Sequence, residues 1–187
     1  IVHEVLAAFV RDTGRDWPAD ALEQLIARGK AAFAPYAHIE RVTAFWWPVF
    51  EKVAAWFCGW EAKRRESLRQ TAVEQGGALL IPLSDGTSFR LRGRADRIDV
   101  LHDGSLAIVD YKTGQPPSGQ QVGTGLEPQL TLTAYLAARG LFEGAPAGPV
   151  EQLTYVKVGS APAEVKLDLK RTDRSPVSIE EAAEEHI

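Results

Sequence analysis

The heptapeptide Ile108-Val109-Asp110-Tyr111-Lys112-Thr113-Gly114 sets a carboxylate and an amine two residues apart after an apolar run. On a β-strand such a pair shares one face, about 7 Å apart, with Tyr111 opposed. The carboxylate can hold a hard, oxygen-seeking cation while the ammonium positions a water or a phosphate beside it. Alone, Asp-x-Lys equally describes a solvated salt bridge on an exposed strand. The second clue is Gly93-Arg94-Ala95-Asp96-Arg97-Ile98-Asp99, with Asp103-Gly104 as a turn before Asp110. Two antiparallel strands joined there bring Asp96 and Asp110 to one place. Carboxylates only accept hydrogen bonds and suit Mg²⁺.

The elements that must hold these residues follow from periodicity. Val2, Val5, Leu6, Phe9 and Val10 repeat as one face of a helix, ended by a turn-rich stretch from Asp12 to Pro18. A second helix is expected over Ala21–Phe33, carrying Leu22, Leu25 and Ile26. A third starts or kinks at Pro48 and reaches about Glu66, with Phe50, Val53, Phe57 and Trp60 as its core stripe. Strands are expected over Gln70–Gln75, Ala78–Leu83, Thr87–Leu101 and Leu106–Lys112, with Asp85-Gly86 as a hairpin turn. Thr113–Leu126, rich in Gly and Pro, reads as a flexible loop. A helix over Glu127–Leu141 follows, then strands over Glu151–Val158 and Glu164–Leu169. A last helix opens at Ser178 with Glu181 as its capping-box partner. The order predicts an α/β fold, helical over 1–68 and sheet-based over 69–187.

Gly-x-x-Asp-Arg-Ile-Asp followed by Ile-Val-Asp-Tyr-Lys-Thr-Gly resembles the PD-(D/E)xK nuclease superfamily. More closely it is similar to RecB-type nuclease domains, such as the C-terminal nuclease of AddB-type subunits of helicase–nucleases. The resemblance implies a restriction-endonuclease-like core: a mixed β-sheet flanked by helices. It implies Mg²⁺, replaceable by Mn²⁺, held by His3, Asp96, Asp110 and the backbone carbonyl of Tyr111, with Lys112 orienting water. It places a supporting Gln at Gln129. The family's Tyr would fall one turn on, where Thr133 stands, and Tyr135 is displaced around the helix. Glu74 resembles a recurrent family Glu and reads equally well as an exposed strand residue. The implied activity is exonuclease-type hydrolysis of DNA, with single-stranded ends fed by a helicase–nuclease partner subunit during double-strand break repair in the bacterial cytoplasm. A stand-alone RecB-family nuclease, and a non-catalytic DNA-clamping domain of the same fold, are the alternatives.

Other side chains carry weaker signals. Arg90, Arg92 and Arg94 alternate with Asp96 on one strand face, either to guide a phosphate backbone or as an ordinary solvated face. Arg97 and Asp99 are expected to pair, and Lys63, Arg64 and Arg65 to form a polar helix end. Cys58 is expected to be a buried structural thiol, and a single cysteine supplies neither a disulfide nor an iron–sulfur cluster within this chain. The 187 residues, 45% hydrophobic and with a net charge of -4, suit one globular domain. An acidic average does not exclude a local basic face. No apolar run is long enough to span a membrane. The chain begins with Ile1 rather than Met, so a fragment of a longer polypeptide is expected.

Overall fold

The computed structural model describes residues 1–14 and 16–187. Helix α1 (Val2–Thr13) is amphipathic and buries Val5, Leu6, Phe9 and Val10. It runs past Asp12, where a turn was expected, and ends at Gly14 with a φ of 53°. Arg15, inside the expected turn, lies outside the described residues. Helix α2 (Ala21–Phe33) has the expected bounds, and Gly29 lets it approach α3 (Trp47–Arg65). A Cβ at Gly29 would lie 2.1 Å from the Phe50 ring. Pro48 sits in the first turn of α3, where its missing N–H costs nothing. Between α2 and α3 the chain makes a 3-10 turn (Ala34–Tyr36) and a π-helical turn (Val42–Trp46).

Five strands form one mixed sheet in sequence order: β1 (Leu68–Pro82), β2 (Ser88–Leu101), β3 (Leu106–Lys112), β4 (Val150–Lys157) and β5 (Ala163–Lys166). Only β3 and β4 run parallel. The two segments expected on either side of Gly76-Gly77 are one strand, β1, paired along its length with β2 around the Asp85-Gly86 turn. Gly86 has a φ of 83°, a conformation most side chains resist. Helices α1–α3 cover one face of the sheet, over Val73, Val109, Tyr111 and Val156. Helices α4 (Gly119–Gly123), α5 (Gln129–Ala138) and α6 (Ile179–Glu185) cover the other, over Ile98, Val100, Ile108 and Tyr155.

The Thr113–Leu126 segment differs from the expected loop because it contains α4. Ser118 caps that helix in a capping box with Gln121. Gly119 and Gly123 earn their places by contact: a Cβ on either would press into the backbone of Asp168 or Lys170. Cys58 is half-buried rather than buried. Burial and the nearby Glu61 still push its thiol up to about 11, which keeps it unreactive. Among the described residues no helix is long and apolar enough to cross a membrane.

Candidate active site

The ladder between β2 and β3 runs from Val100↔Leu106 to Arg97↔Val109 and stops. One more step of that register would set Asp96 opposite Asp110. Instead the strands part, and the Asp96 carboxylate accepts a hydrogen bond from the Tyr111 backbone N–H at 3.0 Å. A side chain thus replaces the lost ladder partner of a buried strand, as a backbone donor in the interior requires. The two carboxylates sit at the fork.

Asp110 shares its face of β3 with Lys112 and meets the start of α5. Gln129 Nε2 donates to Asp110 Oδ1 at 2.8 Å, and Gln129 Oε1 accepts from Lys112 Nζ at 3.1 Å. Lys112 Nζ lies 2.9 Å from Asp110 Oδ2, which closes a three-residue ring. The ammonium also lies 5.5 Å from the centre of the Tyr155 ring. Burial pushes the Asp110 carboxyl above the usual carboxylate range, and the Asp96 charge adds to the rise. Lys112, by hydrogen bond and by charge, and His3, by charge, oppose it.

His3 comes from α1, on the far side of the fork. Its ring lies 6.1 Å from that of Tyr111, and its Nε2 is buried with no hydrogen-bond partner. A buried imidazole nitrogen without a hydrogen-bond partner, this close to Asp110, has the chemistry of a metal ligand. Among the described residues no three His, Cys, Asp or Glu side chains are grouped so as to hold a metal ion. By donor type alone, two carboxylates and one imidazole suit a hard or borderline divalent ion.

Glu74, on β1, lies across from Asp96, between the pairs Val73↔Arg97 and Gln75↔Ala95. Its φ is 58°, a left-handed conformation rare for a residue with a side chain. The reason is visible in the facing pattern. A Cβ on Gly144 would meet both Ala72 and Gln75, so these two lie on one side and the alternation of β1 skips a beat around Glu74. On β2, Ala95 and Ile98 both pack in the α5-side core, so the partner strand skips at the same place. Both strands reverse together, and the register survives. Glu74 forms an ion pair with Arg94, and both line one cleft with His3 and Asp96. Arg94 therefore sits beside Asp96, while Arg92 and Arg90 lie farther out on the projecting β1–β2 hairpin, exposed. Tyr135 packs under Arg139, and Thr133 spends its hydroxyl on the Gln129 carbonyl at 2.8 Å.

Beneath the site, the opposite face of β2 and β3 is tied down by ions. Arg97 donates to Asp99 at 2.7 Å and to Glu61 of α3 at 2.5 Å, all three fully buried. Arg64 reaches Asp99 at 2.5 Å and Glu164 at 3.3 Å, and Arg65 reaches Glu61 at 2.7 Å. Arg97 and Asp99 pair as expected, but Arg64 and Arg65 are not a free polar helix end. Burial alone would favour neutral forms, yet the paired charges win: Arg97 is held above its ordinary range and Asp99 below its own. Burial pushes the Tyr111 hydroxyl, against this network, up to about 12. Glu61 was missed in the sequence, since an acid on a helix shows no sign of burial until the helix is docked.

The model of the PD-(D/E)XK nuclease superfamily matches residues 1–187. The chain belongs to that superfamily. Similar curated proteins include uncharacterised proteins of Rickettsia felis, 30% identical over 80 residues (43% of this chain and 9% of that protein), and of Rickettsia typhi, 33% identical over 76 residues (41% and 9%). A third, from Rickettsia bellii, is 29% identical over 117 residues, covering 56% of this chain and 14% of that protein. The chain thus spans 9 to 14% of the length of these relatives. The crystal structure of SSO0001 aligns with a TM-score of 0.38 at 18% identity, over 85% of this chain and 66% of that one.

Proposed function

We propose that this member of the superfamily is a divalent-metal-dependent deoxyribonuclease, with residues 1–187 as one nuclease domain whose catalytic core is 69–187. The observation that carries the reading is the Asp110–Gln129–Lys112 ring beside Asp96. Asp96, Asp110, His3 and the Tyr111 carbonyl are the assigned holders of Mg²⁺, with Mn²⁺ as a substitute. When bound, the ion supplies Lewis acidity to the scissile phosphate and to a water.

The chain's own residues do the rest. Lys112, 29% exposed at its side chain, has three N–H donors, and Asp110 and Gln129 occupy two of them. The third is available to orient the attacking water or to meet negative charge developing on the phosphate. Gln129 fixes Asp110 and Lys112 relative to each other. Arg94, with Arg92 and Arg90 beyond it, guides the phosphate backbone toward Asp96. We assign the substrate as single-stranded DNA ends, processed exonucleolytically. The motif likeness to RecB- and AddB-type domains supports a place beside a helicase partner in bacterial break repair.

The test is cleavage of end-labelled single-stranded DNA with Mg²⁺, with Mn²⁺ and with EDTA, for the native protein and Lys112→Ala. The native protein should cut only with metal. Lys112→Ala should lose cleavage and stay folded, because a lysine whose side chain is 29% exposed adds little to stability. Substantial Mg²⁺-dependent cutting by Lys112→Ala removes the lysine from the mechanism.

A further inference from the structure

The cleft that holds His3 and Asp96 has a second wall that the chemistry above does not use. It measures about 630 Å³ and is lined on that side by Phe33, Tyr36, Val42 and Trp46. Tyr36 and Trp46 are each 42% exposed, and Phe45, 54% exposed, packs edge-on against Trp46 at 5.5 Å. Large aromatic rings left this open need an explanation, because they forgo burial that neighbouring Phe33 and Phe50 achieve. The backbone that presents Trp46 is the π-helical turn Val42–Trp46. Such turns are rare and frequent at functional sites.

We infer that Tyr36, Phe45 and Trp46 form a stacking platform for unpaired bases, so that the cleft receives single-stranded DNA with bases on the aromatic wall and phosphates on the arginine wall. The inference rests on the nuclease reading and adds the residues that select the strand. Two features favour nucleic acid over another occupant. The aromatic wall is continuous with the carboxylate Asp96, where a phosphodiester has to arrive. Arg94 lines the same cleft, and Arg92 and Arg90 follow it as exposed residues of β2, so the cleft offers a cation for the backbone as well as rings for the bases. Bases in a duplex already stack on each other and present only edges. An open strand offers each base face to a ring, and rings accept all bases alike.

The experiment is equilibrium binding of a labelled dT oligonucleotide, an abasic strand of equal length and a duplex, with Ca²⁺ replacing Mg²⁺ and strand integrity checked on gels. The native protein should prefer the dT strand to both of the others. Trp46→Ala should bind the dT strand about five- to a hundred-fold more weakly, since one base–aromatic stack is lost. It should bind the abasic strand as the native protein does. Trp46→Phe, which keeps a ring, should recover most of the loss, and Tyr36→Ala should repeat the pattern independently. If Trp46→Ala binds dT like the native protein, or weakens dT and abasic strands equally, the platform is refuted. Base-dependent binding without any metal-dependent cutting would keep the platform and refute the nuclease reading. Metal-dependent cutting with an unchanged Trp46→Ala would do the reverse.

Discussion

Gln129→Met is the perturbation that isolates the ring at the active centre. It keeps the length and helix propensity of the side chain at the first position of α5 and removes both polar atoms. The native amide makes two contacts to charged partners, 2.8 Å to Asp110 and 3.1 Å to Lys112. Hydrogen bonds to charged groups contribute about 1.5–3 kcal/mol each. Partial exposure of Lys112 and the surviving 2.9 Å contact between Lys112 and Asp110 reduce the net loss. About 1.4–2.8 kcal/mol of lost preorganisation remains, which is roughly ten- to a hundred-fold in rate. Outer-shell partners of metal ligands cost a similar factor when removed. The assay is single-turnover cleavage of single-stranded DNA across a Mg²⁺ titration. Gln129→Met should lower kcat/KM by that factor and move the Mg²⁺ midpoint upward, with an unchanged melting curve. Gln129→Glu should be worse, because a carboxylate can accept from Lys112 but repels Asp110. Native kcat/KM and native Mg²⁺ dependence in Gln129→Met would refute the claim that this amide organises the centre.

Glu74→Gly should leave stability level or raise it by about 1 kcal/mol, because glycine accepts the 58° φ without strain, while cleavage falls. A loss of stability with cleavage intact, measured by urea unfolding and the DNA assay, would contradict it. Arg97→Met should cost about 3–5 kcal/mol in urea unfolding, since Glu61 and Asp99 are left buried without their shared cation. Asp99 has a folded pKa below its ordinary 3.8, so its stabilisation is fully present above that value and is lost as pH falls through the lower, folded one. Acid titrations of stability should therefore steepen below about pH 4 in the native protein and flatten in Asp99→Asn.

Much of this architecture was legible because local chemistry announces itself. Ser178 with Glu181 predicted the capping box that starts α6, and Asp85-Gly86 predicted the turn between β1 and β2. The same box at Ser118 and Gln121 went unread because Gly and Pro around it signal a loop. Those glycines serve close packing against Asp168 and Lys170 instead. The two-residue alternation placed Arg94 and Asp96 on one face, and they share one cleft. It could not reveal that Ala95 and Ile98 face α5 together, because that skip coincides with the left-handed Glu74 on the opposite strand, which no period in the sequence marks. The aromatic wall was equally hidden: Tyr36 and Trp46 lie in turns with no regular period, and only the docking of α1 beside them makes a cleft.

The buried ions and the active centre are two faces of one device. Tyr111 separates Asp110 from Lys112 by pointing the other way, and its ring packs on Phe57 of α3 at 6.3 Å. Its backbone N–H meanwhile holds Asp96. The strand that carries Asp110 and Lys112 is thus anchored from beneath by α3, through Phe57 and through the bond of Glu61 to Arg97 on the neighbouring strand. A hydrophobic replacement of those charges could match their stability. It could not reproduce their directional hold, since the hydrogen bonds from Arg97 to Glu61 and from Arg64 to Asp99, both at 2.5 Å, admit little sliding of β2 against α3. Sliding is what the site tolerates least, because Asp96 reaches the fork from β2 and Asp110 from β3, and no ladder bond joins the two strands beyond Arg97↔Val109. The buried network therefore does at a distance what the missing ladder would have done, and holds the two carboxylates at the fork.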